Sequence, residues 1–136
     1  MTAATLFTGT TSPVRDVHSE PFWQAAAAGR LMLPRCRACG KAHWYPRPFC
    51  PFCYGDVEWQ EASGRGTLYS YSVTAIKAGA YVLALVALEE GPLILTNIIC
   101  DDVSELAIEQ PVAVRFETAS NGERLPAFAP GKSDDA

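Results

Sequence analysis

Histidine is nearly absent from this chain: its 136 residues include two, His18 and His43. Neither stands in a cluster of Ser, His and Asp, so the sequence offers no nucleophile, base and orienting group for covalent or acid–base catalysis. A phosphate-cradling loop is also missing, because Gly64-Arg65-Gly66 opens a strand pattern and lacks the lysine and further glycine of a P-loop. It reads as a turn or a close backbone approach. Glu89-Glu90 and Asp101-Asp102 are adjacent pairs, which a strand would point to opposite faces; they read as solvated turns rather than a catalytic dyad. Met1 to Pro13 is polar, with no basic n-region and no long apolar core, so neither a signal peptide nor a membrane anchor is expected. A cytoplasmic protein with a loose N-terminus follows.

Positive charge is scarce where nucleic acid would need it. Up to Val57 there are six Lys or Arg against three Asp or Glu; from Glu58 onward there are five against twelve, a balance of −7. Phosphate affinity depends chiefly on cations, so no nucleic-acid partner is expected, although Tyr69, Tyr71 and Tyr81 could stack bases. The basic residues Arg30, Arg35, Arg37, Lys41 and Arg47 gather in the first half. They suit a solvated surface or a small patch facing an anion.

Four of the five cysteines lie in one segment, as Cys36-Arg37-Ala38-Cys39 and Cys50-Pro51-Phe52-Cys53, with ten residues between the pairs. That is knuckle spacing for a four-thiolate site and predicts one structural zinc per chain. Gly40 and Gly55 allow the tight turn behind each pair. A redox dithiol comes singly, after a strand and at a helix start; neither pair has that setting, and a reducing compartment disfavours disulfides. Four thiolates close the shell, leaving His43 a packing or surface role. Cys100, ending the run from Leu93, reads as a small buried hydrophobe.

Residues 1–16 read as a flexible start and 17–30 as a helical segment, with Ser19 able to cap, Pro21 in the first turn and Gly29 as the stop. The ribbon occupies 31–57, with strands expected at Arg30–Pro34 and Ala42–Tyr45. Residues 58–130 carry short strands near Thr67–Ser72, Tyr81–Leu88, Leu93–Ile99, Val112–Glu117 and Leu125–Phe128. Five strands in about seventy residues, with one long connection from Asp101 to Pro111, match an OB-type Greek-key barrel. Tyr81–Leu88 is nearly all apolar, so both its faces are expected to be covered. Residues 131–136 read as a loose tail. The fold class is mainly β with one short helix.

Phe22-Trp23, Gly29-Arg30-Leu31, the knuckles around Tyr45-Pro46-Arg47-Pro48, Ser63 to Tyr71, Ala84-Leu85-Val86, Glu90-Gly91-Pro92 and Leu125-Pro126 together resemble the zinc-ribbon OB-fold acyl-CoA-associated family, domain of unknown function thirty-five. The likeness covers residues 20 to 130. It implies a rubredoxin-like ribbon, a five-stranded OB barrel, and a non-catalytic subunit. That subunit would steady a thiolase-fold enzyme (a lipid-transfer-protein-like thiolase or aldolase) or an enoyl-CoA-hydratase-type enzyme and help form an acyl-CoA channel. Phe22, Trp23, Trp44, Arg47, Arg65 and Tyr81 are the candidates for partner or ligand contact. A stand-alone acyl-CoA-binding protein is the alternative, and a single-stranded nucleic-acid module the remoter one. The sequence departs from the family at Ile108-Glu109-Gln110-Pro111, where a glycine commonly precedes the strand, and at Ala127 to Pro130, which lacks a common arginine.

Overall fold

The computed structural model describes residues 3–4, 17–77, 79–119 and 122–131. Most of the segments expected to be loose, 1–16 and 131–136, lie outside the described residues. Ala3 and Ala4 do not, and Ala4 is pinned: it is buried and bridges Ala80 on one side and Cys100 on the other.

Helix α1, Glu20–Ala27, has Pro21 in its first turn. Ser19 sits at the N-cap but makes no side-chain bond to the first turn; the buried Ser19 serves through its carbonyl, which accepts from the Phe22 and Trp23 N–H groups. The helix ends as expected at Gly29 (φ 78°). The Gly29 and Arg30 N–H groups return to the carbonyls of Ala26 and Ala25, the paired bonds of a Schellman motif. An eight-residue helix is unstable alone, and burial of Phe22, Ala25 and Ala26 holds this one in place.

Strand β1, Met32–Cys36, pairs antiparallel with β2, Val57–Glu61. Ala42–Tyr45, expected as a strand, makes only a single bridge, from Ala42 to Arg35. It lies on the edge of β1 opposite β2, and Pro46 and Pro48 prevent further extension.

Five strands close the barrel: β3 Arg65–Ile76, β4 Gly79–Leu88, β5 Leu93–Ile98, β6 Pro111–Thr118 and β7 Arg124–Pro130. Their order, β3-β4-β5-β7-β6, is the OB arrangement, closed by a single parallel pairing of Ile98 with Phe128. Phe128, Leu68, Ile98, Val82, Val86 and Val112 fill the interior, and Leu33 from β1 and Phe22 from α1 join the same core. Barrel and ribbon therefore share one hydrophobic core rather than standing as beads on a string. At Gly66 a Cβ would lie 2.6 Å from the Ala87 carbonyl oxygen, so the close backbone approach read from the sequence is present.

The alternation along β4 shows which of its two faces this chain covers by itself. Val82, Ala84, Val86 and Leu88 point inward and are buried, whereas Leu83 on the outer face is 43% exposed. A strand of period two gives the barrel one face only, and nothing among the described residues fully covers the other.

The connection from Asp101 to Pro111 folds through a short 3₁₀ turn, Val103–Glu105, in which the Asp102 carboxylate accepts from the Ser104 N–H and hydroxyl. Tyr71 donates its hydroxyl to the Leu106 carbonyl, tying this connection to β3. Within the stretch Ile108 to Pro111, Glu109 has φ 70°, and its N–H donates to the Leu68 carbonyl at 2.7 Å. A side chain in the left-handed region costs about 1–2 kcal/mol. Glu109→Gly should therefore raise stability by about 1 kcal/mol, even against the greater freedom glycine has when unfolded. The expected readout is a melting temperature about 3 °C higher, and an unchanged or lower value would show that the turn is not strained.

Candidate metal centre and aromatic face

The two knuckles are built alike. In the first, the Gly40 N–H donates to the Cys36 carbonyl and the Cys36 N–H to that of Lys41; in the second, Tyr54 bonds Cys50 and Cys50 bonds Gly55 in the same way. The left-handed residue is Gly40 (φ 78°) in one but Tyr54 (φ 62°) in the other. Gly55 thus has a different task from the turn assigned to it by spacing. A Cβ there would sit 3.2 Å from Cys36 Sγ and 3.3 Å from Cys53 Sγ, so its missing side chain leaves room for the sulfurs.

Backbone N–H groups point at the thiols. Ala38 and Cys39 each donate to Cys36 Sγ at 3.3 Å, and Phe52 donates to Cys50 Sγ at 3.4 Å. Cys36 Sγ lies 3.4 Å from Cys53 Sγ, and Cys39 Sγ 3.7 Å from Cys50 Sγ; all four fall within 4.8 Å of one another. Sulfurs about 2.3 Å from a tetrahedral zinc are about 3.8 Å apart, so the set is positioned to bind one such ion.

Electrostatics support the fit. The Cys39 N–H, aided by that of Ala38 and against the pull of burial, brings the Cys36 thiol down to about 6. The Gly55 N–H pulls Cys53 the same way, yet the sulfurs of Cys36, Cys39 and Cys50, together with burial, drive it up to about 12. Crowded thiols cannot all ionise unaided, and a divalent cation removes that conflict.

The other expected contact residues divide. Phe22 is 3% exposed, with its ring 4.8 Å from that of Trp23 and 4.6 Å from that of Trp44. It is a core residue here, because the helix can be held only by burying it. Trp23 and Trp44 are partly buried against the same core. Arg65 is committed to Glu89 through Nε at 2.9 Å and Nη2 at 3.0 Å, and this guanidinium holds the Glu89 carboxyl below its usual range. The neighbouring Glu90 accepts from the Ser63 N–H. Both carboxylates read as solvated turns thus clasp the start of β3. Arg47 remains exposed, and Tyr81 is half-buried on β4.

Sequence reasoning passed over Tyr45, Phe49, Phe52 and Tyr54, all at least 43% exposed on the ribbon. Phe49 and Tyr54 pack at 5.7 Å, and Lys41 Nζ lies 5.0 Å from the Phe52 ring. The available signal was the density of aromatics interleaved with Pro46, Pro48 and Pro51. Arg124 was also missed; it donates to the Ala27 carbonyl and lies over Phe116, joining the helix end to β7. His43 is a packing histidine, 3% exposed. Burial, and then the charge of Arg47, lower its pKa from the ordinary 6.5.

Residues 23–59 match a family model described as the rubredoxin-like zinc ribbon domain of ChsH2, and residues 59–117 match its C-terminal OB-fold domain. A protein of Thermomonospora curvata named probable enoyl-CoA hydratase alpha subunit is 37% identical over 117 residues, covering 80% of this chain and 36% of the relative. A DUF35 domain-containing scaffold protein of Methanocaldococcus jannaschii is 37% identical over 77 residues, 51% of this chain and 55% of the relative. The chain thus spans about a third and about half of the lengths of these two proteins. A solved structure described as an Ltp2-ChsH2(DUF35) aldolase superposes with a TM-score of 0.79 at 33% identity, covering 88% of this chain and 98% of that one.

Two outcomes follow from the geometry. Cys36→Ser or Cys50→Ser should reduce bound zinc from one ion per chain to almost none and lower the melting temperature sharply, since zinc contributes about 10–16 kcal/mol to folding of small zinc peptides; retained zinc and parental stability would exclude these ligands. For His43, the unfolded chain takes up a proton near 6.5 and the folded chain only at lower pH. Its stabilising effect is present above that value and is lost as pH falls through it toward the depressed one. Between pH 7.5 and 5.5, His43→Phe should therefore lose less stability than the parent in matched thermal melts, and parallel losses would exonerate His43.

Proposed function

Because the chain belongs to the DUF35 family of zinc-ribbon and OB-fold proteins, we propose that it is a non-catalytic accessory subunit of an acyl-CoA enzyme, either thiolase-fold or of the enoyl-CoA hydratase type. The observation that carries this reading is its likeness to nearly the whole DUF35 chain of a two-component aldolase. In the cytoplasm, where thiolates stay reduced, the zinc ribbon would serve as a rigid support rather than as a reaction centre, its four sulfurs being turned toward one another.

Contact with an acyl-CoA has local support as well. A cleft of about 520 Å³ between the ribbon and the turn joining β4 to β5 is lined by Arg35, Lys41, Phe52, Gln60 and Glu90. Two cations beside an exposed ring suit the phosphates and base of a nucleotide-tailed thioester, and a partner surface laid over the cleft would turn it into a channel. Arg35 is held for this by bonds from Nε to the Gly40 carbonyl and from Nη1 to Gln60 Oε1. The exposed Arg47 and the ribbon aromatics offer the residue types that anchor protein interfaces.

The test is co-expression of the tagged chain with the thiolase-like or hydratase-like enzyme encoded nearest to it. The expected result is co-purification, with enzyme turnover that falls by at least tenfold when the chain is omitted. A well-folded zinc protein that purifies alone, leaving full activity behind, would overturn the reading and favour direct acyl-CoA binding.

A further inference from the structure

Strands β4 and β5 carry an apolar surface that the barrel does not use. On the outer side the register sets Leu85 directly opposite Leu95 and Ala87 opposite Leu93, with Leu83 on the diagonal from Leu95. Leu95 is 61% exposed, and Leu83 and Leu93 are also exposed. Directly opposed and diagonal neighbours on one sheet face are in side-chain reach, so these leucines form one continuous patch. The adjoining positions of β3, Ser70, Ser72 and Thr74, pair with Leu85, Leu83 and Tyr81 and add hydroxyls rather than charge.

The position of the patch matters as much as its composition. β4 and β5 are the second and third strands of the OB barrel, the pair whose outer face is the usual ligand surface of this fold. Barrels that take single-stranded nucleic acid line that face with aromatic rings and cations. Here its centre is aliphatic, flanked at one end by Tyr81 and Asn97, with no Lys or Arg at the positions named. A polynucleotide or an anionic membrane surface would find no counter-charge on it, and a small ligand would find a sheet face without enclosing walls. An apolar face of a folded protein fits.

Helix α1 packs chiefly on β7 and β1. The described residues therefore leave the leucines without a full cover from the chain itself. The solved DUF35 chain that this one resembles belongs to a two-component aldolase. We propose that the Leu83, Leu85, Leu93 and Leu95 face is the apolar centre of the surface on which the enzyme subunit docks; this rests on the accessory-subunit reading above. Four residues along two strands span about 13 Å by 10 Å, well short of the roughly 800 Å² that each partner contributes to a stable interface. The leucines therefore form the dry centre, and the hydroxyl-bearing flank on β3 forms part of its rim.

The experiment compares the parent, the pair Leu83→Glu with Leu95→Glu, and Ile108→Glu, an exposed aliphatic position on a different segment, each co-expressed with the neighbouring thiolase- or hydratase-type enzyme. The double variant should lose co-purification, at least a 100-fold weakening, while keeping one zinc per chain and the parental melting temperature; Ile108→Glu should co-purify normally. Should the double variant fail to fold, a photoreactive phenylalanine analogue at position 95 of the otherwise parental chain gives the second readout and should cross-link to the enzyme subunit. Normal co-purification of the folded double variant, or cross-links from position 95 only to a second copy of this chain, would overturn the proposal. If the parent itself fails to co-purify, the accessory-subunit reading falls first and the docking face with it.

Discussion

Four cysteine sulfurs within 4.8 Å of one another impose the constraint on which the rest of the ribbon depends. They come from two turns ten residues apart, and as bare thiols they compete for protons. A single divalent cation relieves that competition and makes the two turns one object. Its influence extends beyond the ribbon because β1 ends in Cys36 while Leu33, three residues earlier, is buried in the core shared with the barrel. Metal binding and barrel packing are thereby coupled through a single short strand.

The helix illustrates how little local propensity contributes to this architecture. Its N-cap serine makes no capping bond and its length is eight residues, yet Phe22 is buried against Trp23 and Trp44. Arg124 then reaches from β7 to the carbonyl of Ala27 at the helix end. Tertiary contacts thus supply what the isolated segment lacks.

For function, the two surfaces left open are chemically distinct. The ribbon shows exposed aromatic rings, one of them beside Lys41, with the Arg35-lined cleft nearby, while the barrel shows leucines on β4 and β5. Cations near rings suit an anionic, partly planar ligand or an acidic rim, and bare leucines suit the dry centre of a protein contact. A subunit that holds a partner with one face and helps guide a thioester with the other would use both.

Much of this was legible in the residues themselves. Knuckle spacing, the glycine stop after α1 and the five strand segments are properties of a few neighbouring positions, and they appeared where spacing and alternation placed them. The departure over Ile108 to Pro111 was likewise visible, and the backbone at Glu109 has φ 70°. What the tertiary structure alone decided involves partners far apart in the chain: β2 as the mate of β1, Glu89 as the mate of Arg65, Phe22 turned inward, and only one face of β4 covered by the described residues. Local chemistry sets which conformations a segment can adopt, whereas long-range pairing sets which of its faces and charges are already taken, and the second cannot be read from spacing.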